Sequence, residues 1–293
     1  MELPEFDTRH LHARGEIVDT ENVATLPHTT EDAIAFLADY ANDLTTRCRV
    51  TADMGGSLYL PDASHTSSHF RTRDFASLLA GSPDTLDVQD LQNMIERLLA
   101  TQREDGLFPE TLASDGTPHY GRGNPVGESA PAYDVPQAVV SITWHVYQKT
   151  GDLAFLKKAL PRLIKGITTL PCHARTELVH IAPDIPSTAY ADGYTSTPNK
   201  KGDLLYSSLL YVQAQNDLAD MAQSLGRDGD ADMWRANAEH ISKRIRMYLW
   251  DKDSALSRAS TENAAAHDIW GSALAVYMNV ATSGQLMAVS KYL

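Results

Sequence analysis

The stretch Val135-Pro136-Gln137-Ala138-Val139-Val140-Ser141-Ile142-Thr143-Trp144-His145-Val146-Tyr147-Gln148-Lys149-Thr150-Gly151-Asp152-Leu153-Ala154-Phe155-Leu156-Lys157-Lys158-Ala159-Leu160 holds two helical patterns of opposite character. Its first half is apolar on most sides, the mark of a helix buried around most of its circumference. Its second half is apolar on one face only (Leu153, Leu156, Leu160, then Leu163, Ile164 and Ile167) with charge on the other, as an outer helix should be. Thr150-Gly151-Asp152 joins them, and glycine there suits the left-handed residue that ends a helix. One inner helix, a tight turn and one outer helix make a helical hairpin.

The same unit recurs in both directions. Inner patterns occupy residues 74–80, 134–149, 203–225 and 268–281. Outer, one-faced patterns contain Ile34, Leu37, Ala38, Ala41 and Leu44; Val88, Leu91, Met94, Ile95, Leu98 and Leu99; Leu153 to Ile167; and Trp234, Ala238, Ile241, Ile245 and Leu249. Thr29 with Asp32 reads as a capping box, and Asp87 as an N-cap. Glycine turns at Gly81, Gly151, Gly226 and Gly284 carry each inner helix into its outer partner. The return connections are long, roughly residues 45–72, 102–133, 171–200 and 250–267, and rich in Pro, Gly, Asp, His and Tyr. Long loops inside a compact domain are usually functional. They should share one end of the assembly. Arg49-Val50-Thr51 and Ser57-Leu58-Tyr59-Leu60 read as a short β-hairpin.

The predicted fold is all-α, a closed or partly closed toroid of about four and a half helical hairpins. An open solenoid is the alternative, but it would repeat at a fixed period with short loops on both sides. Residues 1–28 read as an N-terminal extension and 29–293 as a single domain.

Several class assignments fall away on composition. With 25 basic and 38 acidic side chains the formal charge is −13, which opposes nucleic acid and anionic membrane surfaces. Cys48 and Cys172 are too few for a disulfide framework and lack zinc-like spacing. The start has neither a basic n-region nor an apolar h-region, and no apolar run would span a bilayer, so a cytoplasmic location is expected. His65 and His69 stand four apart in a segment that reads as loop, so no metal is expected. Neither phosphate loops nor serine nucleophile elbows occur.

Phe70-Arg71-Thr72-Arg73-Asp74-Phe75-Ala76 resembles the aromatic-x-Arg-Asp signature at the first inner helix of (α/α)6-barrel, six-hairpin glycosidases. Glucoamylase-like, trehalase-like and glycogen-debranching glucosidase enzymes make up that superfamily. Thr188-Ala189-Tyr190-Ala191-Asp192-Gly193, followed by Thr197-Pro198-Asn199-Lys200-Lys201-Gly202, resembles the debranching-type segment before an inner helix. Tyr147 to Leu156, Tyr248-Leu249-Trp250-Asp251 and Asp268-Ile269-Trp270-Gly271 fit the same superfamily.

The resemblance implies a glycoside hydrolase of carbohydrate metabolism working by carboxylate general acid/base catalysis, with a carbohydrate substrate and no cofactor. It places the acid at Asp192, and Asp184 and Asp203 are fallbacks. It implies sugar contacts from Arg73 and Asp74, since paired donors and acceptors suit vicinal hydroxyls. Tyr133, Asp134, Tyr194, Asp268 and Trp270 complete the candidate set, each with a structural alternative as cap, turn or core residue. A glycosidase needs a second carboxylate. The family takes it from near the end of the barrel, and neither Glu262 nor Asp268 matches it. Against the family's six hairpins the chain reads as an incomplete (α/α)6-type toroid. Three explanations compete: a truncated member, a base moved to an earlier loop, or a protein that binds a carbohydrate without cleaving it. The open inner apolar faces predict homo-oligomerisation or poor solubility. Two rival functions remain on this fold: a non-catalytic carbohydrate-binding protein, and a sugar epimerase or lyase. An epimerase would use paired histidines at the mouth of the ring, and only His267 sits near such a position in sequence.

Overall fold

Helix starts follow from local chemistry. The computed structural model describes residues 29–65, 67–81, 85–120, 132–185, 200–262 and 267–292. The Asp32 N–H donates to the Thr29 hydroxyl at 3.0 Å at the start of α1 (Thr30–Cys48). Two compact units divide inside this helix, between Asp43 and Leu44. The reason is burial: the buried residues of α1 are Thr45 and Cys48, both past the division. In the first unit Ile34, Phe36, Leu37 and Tyr40 are exposed, with the Phe36 and Tyr40 rings stacked.

The second unit opens with the expected hairpin, β1 (Arg49–Thr51) antiparallel to β2 (Ser57–Tyr59), Arg49 facing Tyr59. Next come β3 (Phe70–Arg71), α2 (Thr72–Gly81), α3 (Val88–Ala100), β4 (Thr111–Leu112), β5 (Pro118–His119), α4 (Val135–Thr150) and α5 (Leu153–Ile167). The remainder is β6 (His180–Ile181), β7 (Gly202–Asp203), α6 (Leu205–Ser224), α7 (Asp228–Tyr248), β8 (Trp250–Asp251), β9 (Leu256–Ser257), α8 (Ile269–Tyr277) and α9 (Ser283–Val289). Asp87 and Asp152 cap α3 and α5 by accepting from the backbone N–H groups of the first turn, and Gly151 closes α4 at φ +65°.

Inner and outer helices alternate as the hydrophobic pattern requires. Inner helix α2 packs on α4, α4 on α6 and α6 on α8; α3 and α5 cover α4, and α7 covers α6. Leu91, Met94, Ile95 and Leu98 of α3 are fully buried, as are Val139, Val140 and Ile142 of α4. Removing each such side chain from water stabilises the fold by roughly 1.5–3 kcal/mol. The result is an incomplete (α/α)6 toroid.

Two-residue strands organise the long-loop end. β6 follows α5 and pairs with β7, which enters α6; β8 follows α7 and pairs with β9, which leads into α8. β4, after α3, pairs with β3, which enters α2. Each small sheet thereby ties the exit of an outer helix to the entry of an inner one. Gly202 sits at φ +73°, and a Cβ there would lie 2.3 Å from Thr261 Oγ1. Only glycine admits both the left-handed backbone and that approach.

Candidate functional site

Direct bonds between starts of inner helices build the rim. At α2 and α4, Arg73 donates from Nε to Asp134 Oδ2 at 2.7 Å and from Nη2 to Asp134 Oδ1 at 2.9 Å. Its Nη1 donates to Glu110 Oε1 at 2.7 Å. From α4 to α6, Gln137 Nε2 donates to the Ser207 carbonyl at 3.1 Å. At α6 the Leu205 N–H donates to the carbonyl of Ala259, in the connection leading into α8. All four inner helices therefore begin at one end, with an acidic residue at or beside each start: Asp74, Asp134, Asp203 and Asp268.

The side chains differ in accessibility. Asp134 is 0% exposed, Arg73 and Glu110 are each 8% exposed, and Tyr133 is fully buried. Burial opposes the charge on Arg73, but the carboxylates of Asp134 and then Glu110 more than reverse this, holding the guanidinium above its ordinary range. The cluster thus joins α2, the loop after α3, and α4 by a bidentate ion pair and one further bond. Asp74 is half-buried in the first turn of α2. Asp268 Oδ1 accepts from the Gly271 N–H at 2.7 Å and caps α8, while Trp270 stands 83% exposed just inside that helix.

Asp203 lies two residues before α6 with a buried carboxylate, and His180 Nδ1 meets its Oδ1 at 2.9 Å across the β6–β7 pair. The His173 ring lies tilted against that of His180, centroids 4.9 Å apart. His180 thereby stands beside the start of the third inner helix, reached through a sheet of two residues per strand, too short to show periodicity. A second such pair, His267 Nε2 with Asp251 Oδ2 at 2.9 Å, precedes α8. Hydrogen bonds from Ser254 and His267 hold Asp251 down to about 2. Asp184 and Glu262 are exposed. Asp192, Tyr190 and Tyr194 fall outside the described residues. Glu110 carried no signal in sequence, since its partner is 37 residues away.

A polar hollow of about 390 Å³ adjoins β3, lined by Pro61, Asp62, Ser67, Ser68, His69 and Arg71. A larger one of about 660 Å³ lies between outer helices α3 and α5 and includes none of the rim carboxylates. Among the described residues no helix is long and apolar enough to cross a membrane.

Inner helices opening on one acid-bearing rim, with outer helices behind them, define a six-hairpin glycosidase fold. Residues 81–292 match the bacterial α-L-rhamnosidase six-hairpin glycosidase domain, and the chain belongs to that family. Solved structures agree on the fold. A rhamnosidase of Bacillus sp. GL1 is similar at TM-score 0.67 and 14% identity, over 87% of this chain and 25% of that one. A mannosylglycerate hydrolase of Thermus thermophilus, solved with glucose, is similar at TM-score 0.60 and 16% identity, over 87% and 75% of the two chains. Glucoamylase of Saccharomycopsis fibuligera is similar at TM-score 0.55 and 12% identity, over 78% and 53%. The match spans about a quarter of the Bacillus rhamnosidase's length. A comparison with curated proteins finds no match.

Proposed function

We propose that this domain cleaves a glycosidic bond by carboxylate general acid/base catalysis, with a terminal deoxyhexose such as α-L-rhamnose held at the rim. The observation that carries this reading is the gathering of Asp74, Asp134, Asp203 and Asp268 at starts of inner helices linked to one another by hydrogen bonds. Sugar hydroxyls both give and accept hydrogen bonds, so carboxylates beside guanidinium and imidazole groups suit them. In this reading Asp192 protonates the leaving oxygen. Asp74, Asp268, Tyr194 and the exposed Trp270 contact the sugar, Trp270 by stacking. Arg73, Tyr133 and Asp134 act from beneath, as a rigid floor. No cofactor takes part, and water is the second substrate.

The test is hydrolysis of an aryl α-L-rhamnoside beside glucoside and mannoside analogues, with Asp192→Asn as the paired variant. Turnover of one glycoside is expected, together with a fall of about 100-fold or more in the variant and little change in binding. Binding without turnover in the wild type would instead support a non-catalytic carbohydrate-binding protein. The adjoining rings of His173 and His180 favour a second reading, an epimerase or lyase. An isomerised or unsaturated product, with no water consumed, would identify it.

A further inference from the structure

The outer wall holds a hollow that the rim does not use. It measures about 660 Å³, within the size range of small-ligand pockets, and lies between outer helices α3 and α5. Its floor is apolar and buried, made by Leu99 of α3 with Phe155 and Ala159 of α5. Its walls carry charge of both signs, Arg97, Lys158 and Arg162 against Glu96 and Asp152. Positions 155, 158, 159 and 162 share one face of a helix, which is why α5 gives the hollow both floor and cations.

The cations are held ready. Arg97 Nη2 donates at 2.7 Å to the carbonyl of Gly55, in the turn between β1 and β2. Arg162 Nη1 donates to the Leu99 carbonyl near the end of α3, and Gln102 Nε2 donates to the Arg162 carbonyl at 2.9 Å. Each guanidinium keeps further N–H donors beyond these bonds. Lys158 makes no hydrogen bond or ion pair among the described residues, even with Glu96 on the same hollow. The carboxylates offset this charge only in part. Asp152 Oδ1 accepts from the Ala154 and Phe155 N–H groups at the α5 cap, and Glu96 Oε1 accepts from Gln92 Nε2 at 3.5 Å. The hollow is therefore a cationic spot on a chain whose formal charge is −13. Such a cleft raises the local concentration of anions that the rest of the surface repels.

We propose that this hollow is a second carbohydrate site, taking an oligosaccharide that carries carboxylates. The carboxylates meet the guanidinium groups, whose forked N–H donors match them, and Lys158 as a point charge. The hydroxyls, which both give and accept, meet Gln92, Asn93 and Glu96. The apolar C–H face of a sugar ring rests over Phe155 and Ala159. A fatty acid would leave the amides unanswered, and a neutral sugar would leave the cations unanswered. No bond is made or broken here. The site holds a glycan on the outer wall and stands whether or not the rim hydrolyses one.

The experiment is an NMR titration of the isotope-labelled full chain with trigalacturonate, maltotriose and hexanoate, with hydrogen exchange to locate whatever binds. Trigalacturonate should bind saturably, protect amides over residues 92–100 and 152–162, and weaken as salt is raised. Maltotriose, which lacks the carboxylates, and hexanoate, which lacks the hydroxyls, should bind about tenfold more weakly or worse. Two variants test the walls, with melting curves to show that they fold. Lys158→Glu reverses an exposed charge, and Ala100→Trp fills the hollow from an exposed position on α3. Each should weaken trigalacturonate binding by about tenfold or more. Absence of saturable binding overturns the proposal, as does equal affinity for maltotriose or hexanoate. Protection confined to the starts of the inner helices, or wild-type affinity in both folded variants, overturns it as well.

Discussion

Asp217 shows how much a single side chain constrains this fold. It lies within inner helix α6, and its Oδ1 accepts from Gln213 Nε2 at 2.7 Å. Its Oδ2 is buried with no partner among the described residues. Burial pushes the carboxyl up to about 7, Gln213 opposes the rise, and nearby Asp220 adds to it. An acid whose pKa is raised on folding binds its proton more tightly in the native state. Its stabilising contribution is therefore complete below the unfolded value of about 4 and lost as pH rises through about 7. The loss between those limits is on the order of 4 kcal/mol. Urea unfolding of wild type and Asp217→Asn at about pH 5 and about pH 8 checks this, because the difference between the two proteins isolates one group. The variant should gain on wild type at the higher pH, and equal pH slopes would refute the account. Buried charge is treated differently at Arg73, where Asp134 and Glu110 satisfy the guanidinium from sites 61 and 37 residues away. Neither the pairing nor the choice of Glu110 could be read from a sequence, because nothing local couples residues so far apart.

At the scale of elements, the helices and the β1–β2 hairpin were legible and the two-residue strands were not. Apolar spacing and caps such as Asp87 and Asp152 are local signals, and they located α3 and α5 correctly. The last inner helix was harder: the pattern over 268–281 became a helix of only nine residues, Ile269–Tyr277, which Met278 and Asn279 close. Strands of two residues, by contrast, are made by tertiary closure, and two residues carry no alternation to detect. β7 depends on Gly202, which read from sequence only as part of a Thr-Pro-Asn-Lys-Lys-Gly run. Gly202→Ala would combine a positive φ with a Cβ 2.3 Å from Thr261 Oγ1 and 2.8 Å from Glu262 Cγ. A cost of about 1–3 kcal/mol is expected from the backbone strain, read as a fall in the urea midpoint. Hydrogen exchange should rise first at Asp203, Leu204 and Leu205, whose N–H groups donate to Thr261, Val179 and Ala259. Unchanged exchange there would mean that the strand is held without the glycine.

In the second unit, helix α8 leaves large apolar side chains exposed, and their chemistry says what they will do. Inner helices α4 and α6 are covered on both sides, whereas α8 packs on α6 and α9. The helix Ile269-Trp270-Gly271-Ser272-Ala273-Leu274-Ala275-Val276-Tyr277 carries no charge, and Trp270 and Tyr277 are 83% and 84% exposed. Seven residues apart on a helix, these two rings share a face and lie roughly 10 Å apart along its axis. Met287 and Leu286 of α9 are exposed as well. Large apolar side chains exposed in this way are covered in solution when a partner is at hand. For purified protein the partner is a second copy, so sedimentation velocity should show reversible self-association. The net charge of −13 opposes it, and association should therefore strengthen as salt screens the repulsion. Tyr277→Lys should shift the population to monomer. It should leave sugar binding intact, because Tyr277 ends α8 while Trp270 stands at its rim end. A monodisperse monomer at every concentration and salt level would show that this face tolerates water.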